Sequence, residues 1–195
     1  MDCKETTKKE NLIYKGRILN LYNDDVILAD GSESAREYVH HNGGSGVLAV
    51  DREGYAYLVE QFRYPYRELL LEIPAGKTDK GESAYDCAVR ELKEEVGLTA
   101  KSLDDLGLIY PSPGYTDEPL HIFIATDFEV GDNRLDEHEL LNVKKIKFTD
   151  ALAMVERNEI KDAKNVVSIL RFALSYNLNW IKSGIVIHIP AFNVK

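Results

Sequence analysis

The chain has 195 residues, 44% of them hydrophobic and 29% charged, which fits one globular domain with a small addition and a core that needs no staples. Its 24 Lys plus Arg stand against 33 Asp plus Glu, a net charge of −9 with no basic run, so it lacks the electrostatic footprint for gripping a nucleic-acid backbone. Cys3 and Cys87 make no disulfide framework, no apolar run approaches the ~18 residues of a membrane span, and the N-terminal segment has no secretory apolar stretch. The expectation is a cytoplasmic protein without a membrane or nucleic-acid partner.

Residues 1–10 are polar and read as loose. From Leu12 to Val39, β-branched and aromatic runs broken by Asn-Asp-Asp and Asp-Gly predict a small antiparallel meander, a lobe spanning residues 1–42. The cluster Asn42, Gly43, Gly44, Ser45, Gly46 reads as a hinge into a main body at 43–195. There, residues 46–51 and 55–64 predict two strands joined by a turn at Asp51 to Gly54, and Leu69 to Ile73 a third apolar run. A helix is expected from Ala84 to Val96, capped by Ser83 with Asp86 as its capping-box partner and stopped by Gly97. Strands follow at 106–110 and 121–128, separated by a segment rich in Pro and Gly, then a strand at 143–148 and helices at 149–158 and 163–177. The second of these helices carries the apolar stripe Val166, Ile169, Leu170, Ala173; the apolar run after Ser183 is unassigned. Strands and helices mix without regular βαβ alternation, which favours an α/β class of the α+β mixed-sheet kind.

The chemistry concentrates in residues 76–98. At 100° per residue, Ala84, Tyr85, Ala88, Val89, Leu92 and Val96 gather on one side of the helix, and Lys93 and Asp86 point the opposite way. Glu91, Glu94 and Glu95 form a second stripe along the edge of the apolar side. Like charges at such spacing cost roughly 0.2–0.5 kcal/mol per pair, and the helix dipole disfavours anions in the last turns. Arg90 can pair with Glu94 but does not neutralise all three. A divalent cation would, and clustered carboxylates beside a phosphate-bearing substrate suit Mg²⁺, with Mn²⁺ as the alternative; a solvated acidic face is the plain alternative to a metal site.

The spacing is more specific than the stripe. Gly76, Glu82, Arg90, Glu91, Leu92, Glu94, Glu95, Gly97 and Leu98 stand at every position of the Nudix box, a match on the order of 1 in 10⁹ per start position at average residue usage. The segment therefore resembles the Nudix hydrolases, and REYVHH, VEQFRYPYRELLLEIPAGK, YPSPGYTDE and DEHELLNV extend the resemblance to the ADP-ribose pyrophosphatase branch over residues 36–170. The resemblance implies an α/β/α sandwich and hydrolysis of a nucleoside diphosphate linked to another moiety. It implies Glu91 and Glu95 as metal ligands, Glu94 as a ligand or close support, and the Ala75 carbonyl as a further ligand. Arg90 would orient the carboxylates and Gly76 would allow the tight turn. Pro113, sixteen residues past the last box glycine, is the branch marker.

Outside the box, the long polar segment from Asp127 to Asn142 holds Asp136, Glu137 and Glu139. In similar enzymes the first glutamate of this motif is the catalytic base and the second meets a metal, which maps to Glu137 and Glu139. His138 between them departs from the commoner acidic or amide residue. Arg63 is a candidate phosphate clamp, because a guanidinium offers paired donors to phosphate oxygens. Arg36 and Glu37 match the pair that holds the adenine end in relatives, and Tyr14 or Tyr22 could supply a stacking ring. Gly76-Lys77-Thr78 is no phosphate-binding P-loop, since Leu71 stands where that loop needs glycine. The five histidines show no zinc spacing, and Cys87 reads as packed.

The expected reaction is ADP-ribose plus water giving AMP and ribose 5-phosphate. The competing readings are a hydrolase of GDP-mannose or an ADP-linked hexose, and a non-catalytic ADP-ribose sensor, which would have no need of the glutamate set. Similar pyrophosphatases dimerise through the N-terminal lobe, so a homodimer is expected.

Overall fold

The computed structural model describes residues 2–135 and 140–182, with only the backbone path described over 176–182. The chain runs β1 (Thr6–Lys9), β2 (Leu12–Lys15), β3 (Asn20–Ile27), β4 (Glu33–His40), β5 (Gly44–Val50), β6 (Tyr55–Arg63), β7 (Glu68–Glu72) and β8 (Ala75–Lys77), then α1 (Ala84–Val96). It continues through β9 (Leu98–Ala100), β10 (Asp104–Ile109), β11 (Leu120–Ala125), β12 (Phe128–Val130), β13 (Leu141–Lys147), α2 (Phe148–Glu156) and α3 (Ala163–Lys182).

The main body is an α/β/α sandwich on a seven-stranded mixed sheet, ordered β10-β11-β5-β6-β13, with β7 pairing β6 and β8 pairing β5. Only β11 and β5 run parallel among the paired strands of this sheet. Successive side chains of a strand leave on opposite faces, and the central strands divide accordingly. Val47, Ala49, Tyr57, Val59, Phe123 and Ala125 pack with Ala88, Leu92 and Val96 of α1. Leu48, Val50, Leu58, Ile122 and Ile124 pack with Ala151 of α2 and with Ile169 and Phe172 of α3. Burial on both faces is why β5 reads as one continuous apolar run.

The N-terminal residues form a separate four-stranded antiparallel sheet in which β3 takes β1 and β2 along one edge and β4 along the other. The stretch expected to be loose thus contributes β1, whose Thr6 and Thr7 pair with Ile27 and Val26; its side chains are all exposed, so hydrophobic patterning carried no trace of it. The short β8, β9 and β12 were likewise not anticipated: at three residues each they are too brief to show a period.

The glycine cluster expected as a hinge is largely strand. Gly44 and Gly46 lie within β5, where an added Cβ would stand 2.6 Å from the Gly76 carbonyl oxygen and 2.8 Å from Ile73 Cδ1. These glycines allow close backbone approach rather than swing. Gly43 alone holds a positive φ, at 83°. The end of β4 is further tied to the loop before β11. The Val39 N–H donates to the Tyr115 carbonyl at 2.8 Å, the Asp117 N–H to the Val39 carbonyl at 3.2 Å, and His40 Nδ1 lies 2.6 Å from Asp117 Oδ2. Among the described residues, no helix is long and apolar enough to cross a membrane.

Candidate functional site

Helix α1 starts and stops where its caps dictate. The Ser83 hydroxyl accepts the Asp86 N–H at 3.1 Å and donates to Asp86 Oδ2 at 2.7 Å, and Gly97 takes the left-handed conformation at φ 70°. The Asp86 carboxylate therefore meets the Ser83 hydroxyl, where a capping box would have it reach the backbone. Between these ends the apolar stripe docks on the sheet and carries the acidic stripe inward with it. Glu91 and Glu95 are 8% and 3% exposed, close to the burial of the apolar residues beside them, while Glu94 is half-buried.

Buried carboxylates need partners. Arg90 supplies several contacts from one guanidinium: Nη1 lies 2.6 Å from Glu91 Oε1 and 3.1 Å from Glu94 Oε2. Its Nε and Nη2 hold the two oxygens of Glu82 at 2.9 and 3.0 Å, and Nη2 also donates to the Lys77 carbonyl. The Arg90 bond pulls the Glu82 carboxyl down to about 2, and its carboxylate partners push the Arg90 guanidinium further up. Glu95 Oε2 accepts the Ala75 N–H at 2.9 Å, which joins α1 to β8. Cys87 is buried, its Sγ 3.6 Å from the Gly76 carbonyl, and burial raises its thiol.

The Glu91 carboxylate occupies the space where a side chain at Gly76 would be, with Oε1, Cδ and Oε2 all within the reach of an ideal Cβ. This cradle, the hard oxygen donors and the nearby Ala75 peptide fit an Mg²⁺-type ion, which prefers few carboxylates and shared phosphate oxygens. Among the described residues no three His, Cys, Asp or Glu side chains already converge as a ligand set. Arg90 engages Glu91 and Glu94, and the candidate base and ligand Glu137 and Glu139 lie outside the described residues.

Two cavities collect the other candidates. One, of about 270 Å³, is lined by Arg63, Ala75, Gly76 and Lys77 together with His41, Glu118 and, from the start of α3, Asp162 and Lys164. The second, of about 280 Å³, brings Arg36, Glu37 and Pro113 together with Tyr38, Tyr115 and Asp117. The two share no lining residue. Arg63 is not free to swing: Nε and Nη2 grip Glu72 at 2.6 and 2.7 Å. Arg36 pairs with Glu5 at 2.5 Å on an exposed surface. Tyr22 stacks on Tyr38 with centroids 5.1 Å apart, whereas Tyr14 is exposed.

Sequence reasoning missed Glu72, Asp162, Lys164 and Asn165. Glu72 sits in the apolar run before the box, four residues short of Gly76, and a lone acid in such a run is the available signal. The α3 residues carried none, because nothing local tells that the first turn of a late helix returns to the box.

The chain matches the NUDIX domain over residues 40–168. It is 43% identical to the ADP-ribose pyrophosphatase of Bacillus subtilis, over 85% of this chain and 91% of that protein. It is 36% identical to the methanol dehydrogenase activator of Bacillus methanolicus over the same shares, and 33% identical to the GDP-mannose pyrophosphatase of Yersinia enterocolitica, over 82% and 89%. A solved structure described as an ADP compounds hydrolase shares the fold with a TM-score of 0.76 at 24% identity, covering 93% of this chain and 96% of that one. With its box intact on α1 and this match spanning the sandwich, the chain belongs to the Nudix family.

Proposed function

We propose that this Nudix pyrophosphohydrolase cleaves ADP-ribose with water to AMP and ribose 5-phosphate, using Mg²⁺ or, second, Mn²⁺. The observation that carries the reading is the pair of buried carboxylates, Glu91 and Glu95, seated beside Gly76 and Ala75. The similarity to named ADP-ribose pyrophosphatases, at 43% and 34% identity, supports the substrate. GDP-mannose is the second reading, because relatives of that name match over a similar share of the chain.

The roles follow from the chemistry of each group. Glu91, Glu95, Glu94, the Ala75 carbonyl and Glu139 would hold a divalent ion, which would supply Lewis-acid polarisation of the phosphoryl oxygens and of the attacking water. Glu137 takes the proton of that water as the oxygen attacks phosphorus and the bridging P–O bond breaks. Arg90 holds Glu91 and Glu94 in place through its own contacts. Arg63 presents its remaining guanidinium edge to a phosphate. Arg36, Glu37 and Pro113 form the adenine end, with the Glu37 carboxylate accepting from the exocyclic amino group.

We also propose a cytoplasmic homodimer in which the lobe at residues 1–42 reaches the catalytic cavity of a second copy. One observation supports it: the lobe exposes Leu12, Ile13, Tyr14 and Ile18. No disulfide joins exposed Cys3 to buried Cys87. The test of the substrate is a panel of nucleoside diphosphate sugars assayed with Mg²⁺. The highest kcat/KM is expected for ADP-ribose; a GDP-mannose value tenfold above it would replace this reading with the second.

A further inference from the structure

Behind Arg63 lies a buried charge cluster that the box does not account for. Glu72 is 1% exposed and stands between two cations, Arg63 on one side and Lys164 Nζ on the other. Burial alone would raise the Glu72 carboxyl; the two cations outweigh it and hold it below its ordinary range. Lys164 is itself buried and lies 3.1 Å from Asp162 Oδ2. Asp162 accepts the Asn165 N–H at 3.1 Å at the start of α3, where the helix dipole favours an anion.

The same turn also fixes the backbone on both sides of Glu72. Asn165 Oδ1 accepts the Ile73 N–H at 2.8 Å, and Asn165 Nδ2 donates to the Leu71 carbonyl. Residues 71–73 are thus gripped in sequence by two neighbouring residues of α3, just ahead of Ala75 and Gly76.

We infer that Lys164 is a positioning residue of the diphosphate-binding cavity: it locks Glu72, and through Glu72 fixes Arg63 with one guanidinium edge left for a phosphate. Nε and Nη2 of Arg63 are committed to Glu72, and among the described residues Nη1 makes no hydrogen bond. Lys164 holds the Glu72 carboxylate from behind, itself steadied by Asp162, so the carboxylate stays aligned on Nε and Nη2 of Arg63 and leaves Nη1 for the phosphate. Arg63 and Lys164 both line the cavity that holds Ala75 and Gly76. The inference rests on the proposed hydrolysis of a nucleoside diphosphate substrate.

Steady-state kinetics of the full-length enzyme with ADP-ribose and Mg²⁺ tests it, using wild type, Lys164→Gln, Lys164→Met and Lys164→Arg, with a melting curve for each. Either neutral variant should raise KM about tenfold while kcat stays within about threefold, the pattern of lost uniform binding. Lys164→Arg should return KM to within about threefold of wild type, whatever its melting temperature. Lys164→Met, with no polar end to bury, serves if Lys164→Gln yields too little folded protein. A wild-type KM in a folded neutral variant, or a raised KM that arginine does not lower, overturns the role of Lys164. A wild type without turnover overturns the functional reading, and this inference with it.

Discussion

Gly76 and Glu91 occupy what amounts to one side-chain position: the carboxylate of Glu91 fills the volume that any Cβ at residue 76 would need. The atoms in the way are the end of a flexible side chain rather than backbone, so the fold can yield while the carboxylate cannot stay. Gly76→Ala should therefore shift the melting temperature by only a few degrees, yet lower kcat by on the order of 10²-fold, the cost of misplacing a group by about 1 Å. Kinetics and a melting curve on the same preparation check it; loss of folding without loss of specific activity in the folded fraction would contradict it.

The Glu82–Arg90 pair gives the site a pH signature. The Arg90 bond depresses the Glu82 carboxyl from 4.5 to about 2. A depressed carboxylate contributes stability that is full above its unfolded value and fades as pH falls toward its folded value. The advantage of wild type over Glu82→Gln in urea unfolding should hold at pH 6, shrink from pH 4.5 downward and vanish near pH 2. An advantage that grows on acidification would refute the pairing.

Glu137 and Glu139 have separable roles in the proposed reaction. Glu137→Gln should lower kcat by roughly 10²- to 10⁴-fold, the usual worth of a general base, with KM little changed. If Glu139→Gln costs far more and Glu137→Gln less than about threefold in the same assay, the base has been misassigned.

A small sheet is marginal unless packed, and obligate two-fold interfaces commonly bury more than ~2,000 Å². Light scattering should give a dimer at micromolar concentration. Ile13→Asp combined with Ile18→Asp, at positions 61% and 65% exposed, should give a monomer with a raised KM for ADP-ribose. A wild-type monomer with full activity would end the proposal of a shared site.

Much of the fold was legible because physical period and burial coincide. β5, β6 and β11 alternate between two helical layers or are buried on both faces, and α1 carries caps at both ends. The box was legible because its geometry demands particular residues: glycine where Glu91 needs room, and arginine where carboxylates crowd. What stayed hidden is non-local. The strand role of Thr6 to Lys9 depends on β3, and the commitment of Arg63 depends on Glu72 and on Lys164, ninety-two residues beyond Glu72. Gly44 and Gly46 misled because a glycine that admits a close neighbour looks, in sequence, like one that permits a bend.

Burial of the α1 carboxylates has one purpose in the proposed reaction, to hold a metal for diphosphate hydrolysis. Glu95 isolates it, because glutamine at 95 keeps an oxygen for the Ala75 N–H, now at 2.9 Å, while removing the charge. The decisive measurement is ADP-ribose turnover by Glu95→Gln at saturating Mg²⁺, alongside its metal-free melting temperature. Almost no turnover is expected, with a melting temperature level with or above wild type; a near wild-type kcat in the folded variant would contradict the metal role of Glu95.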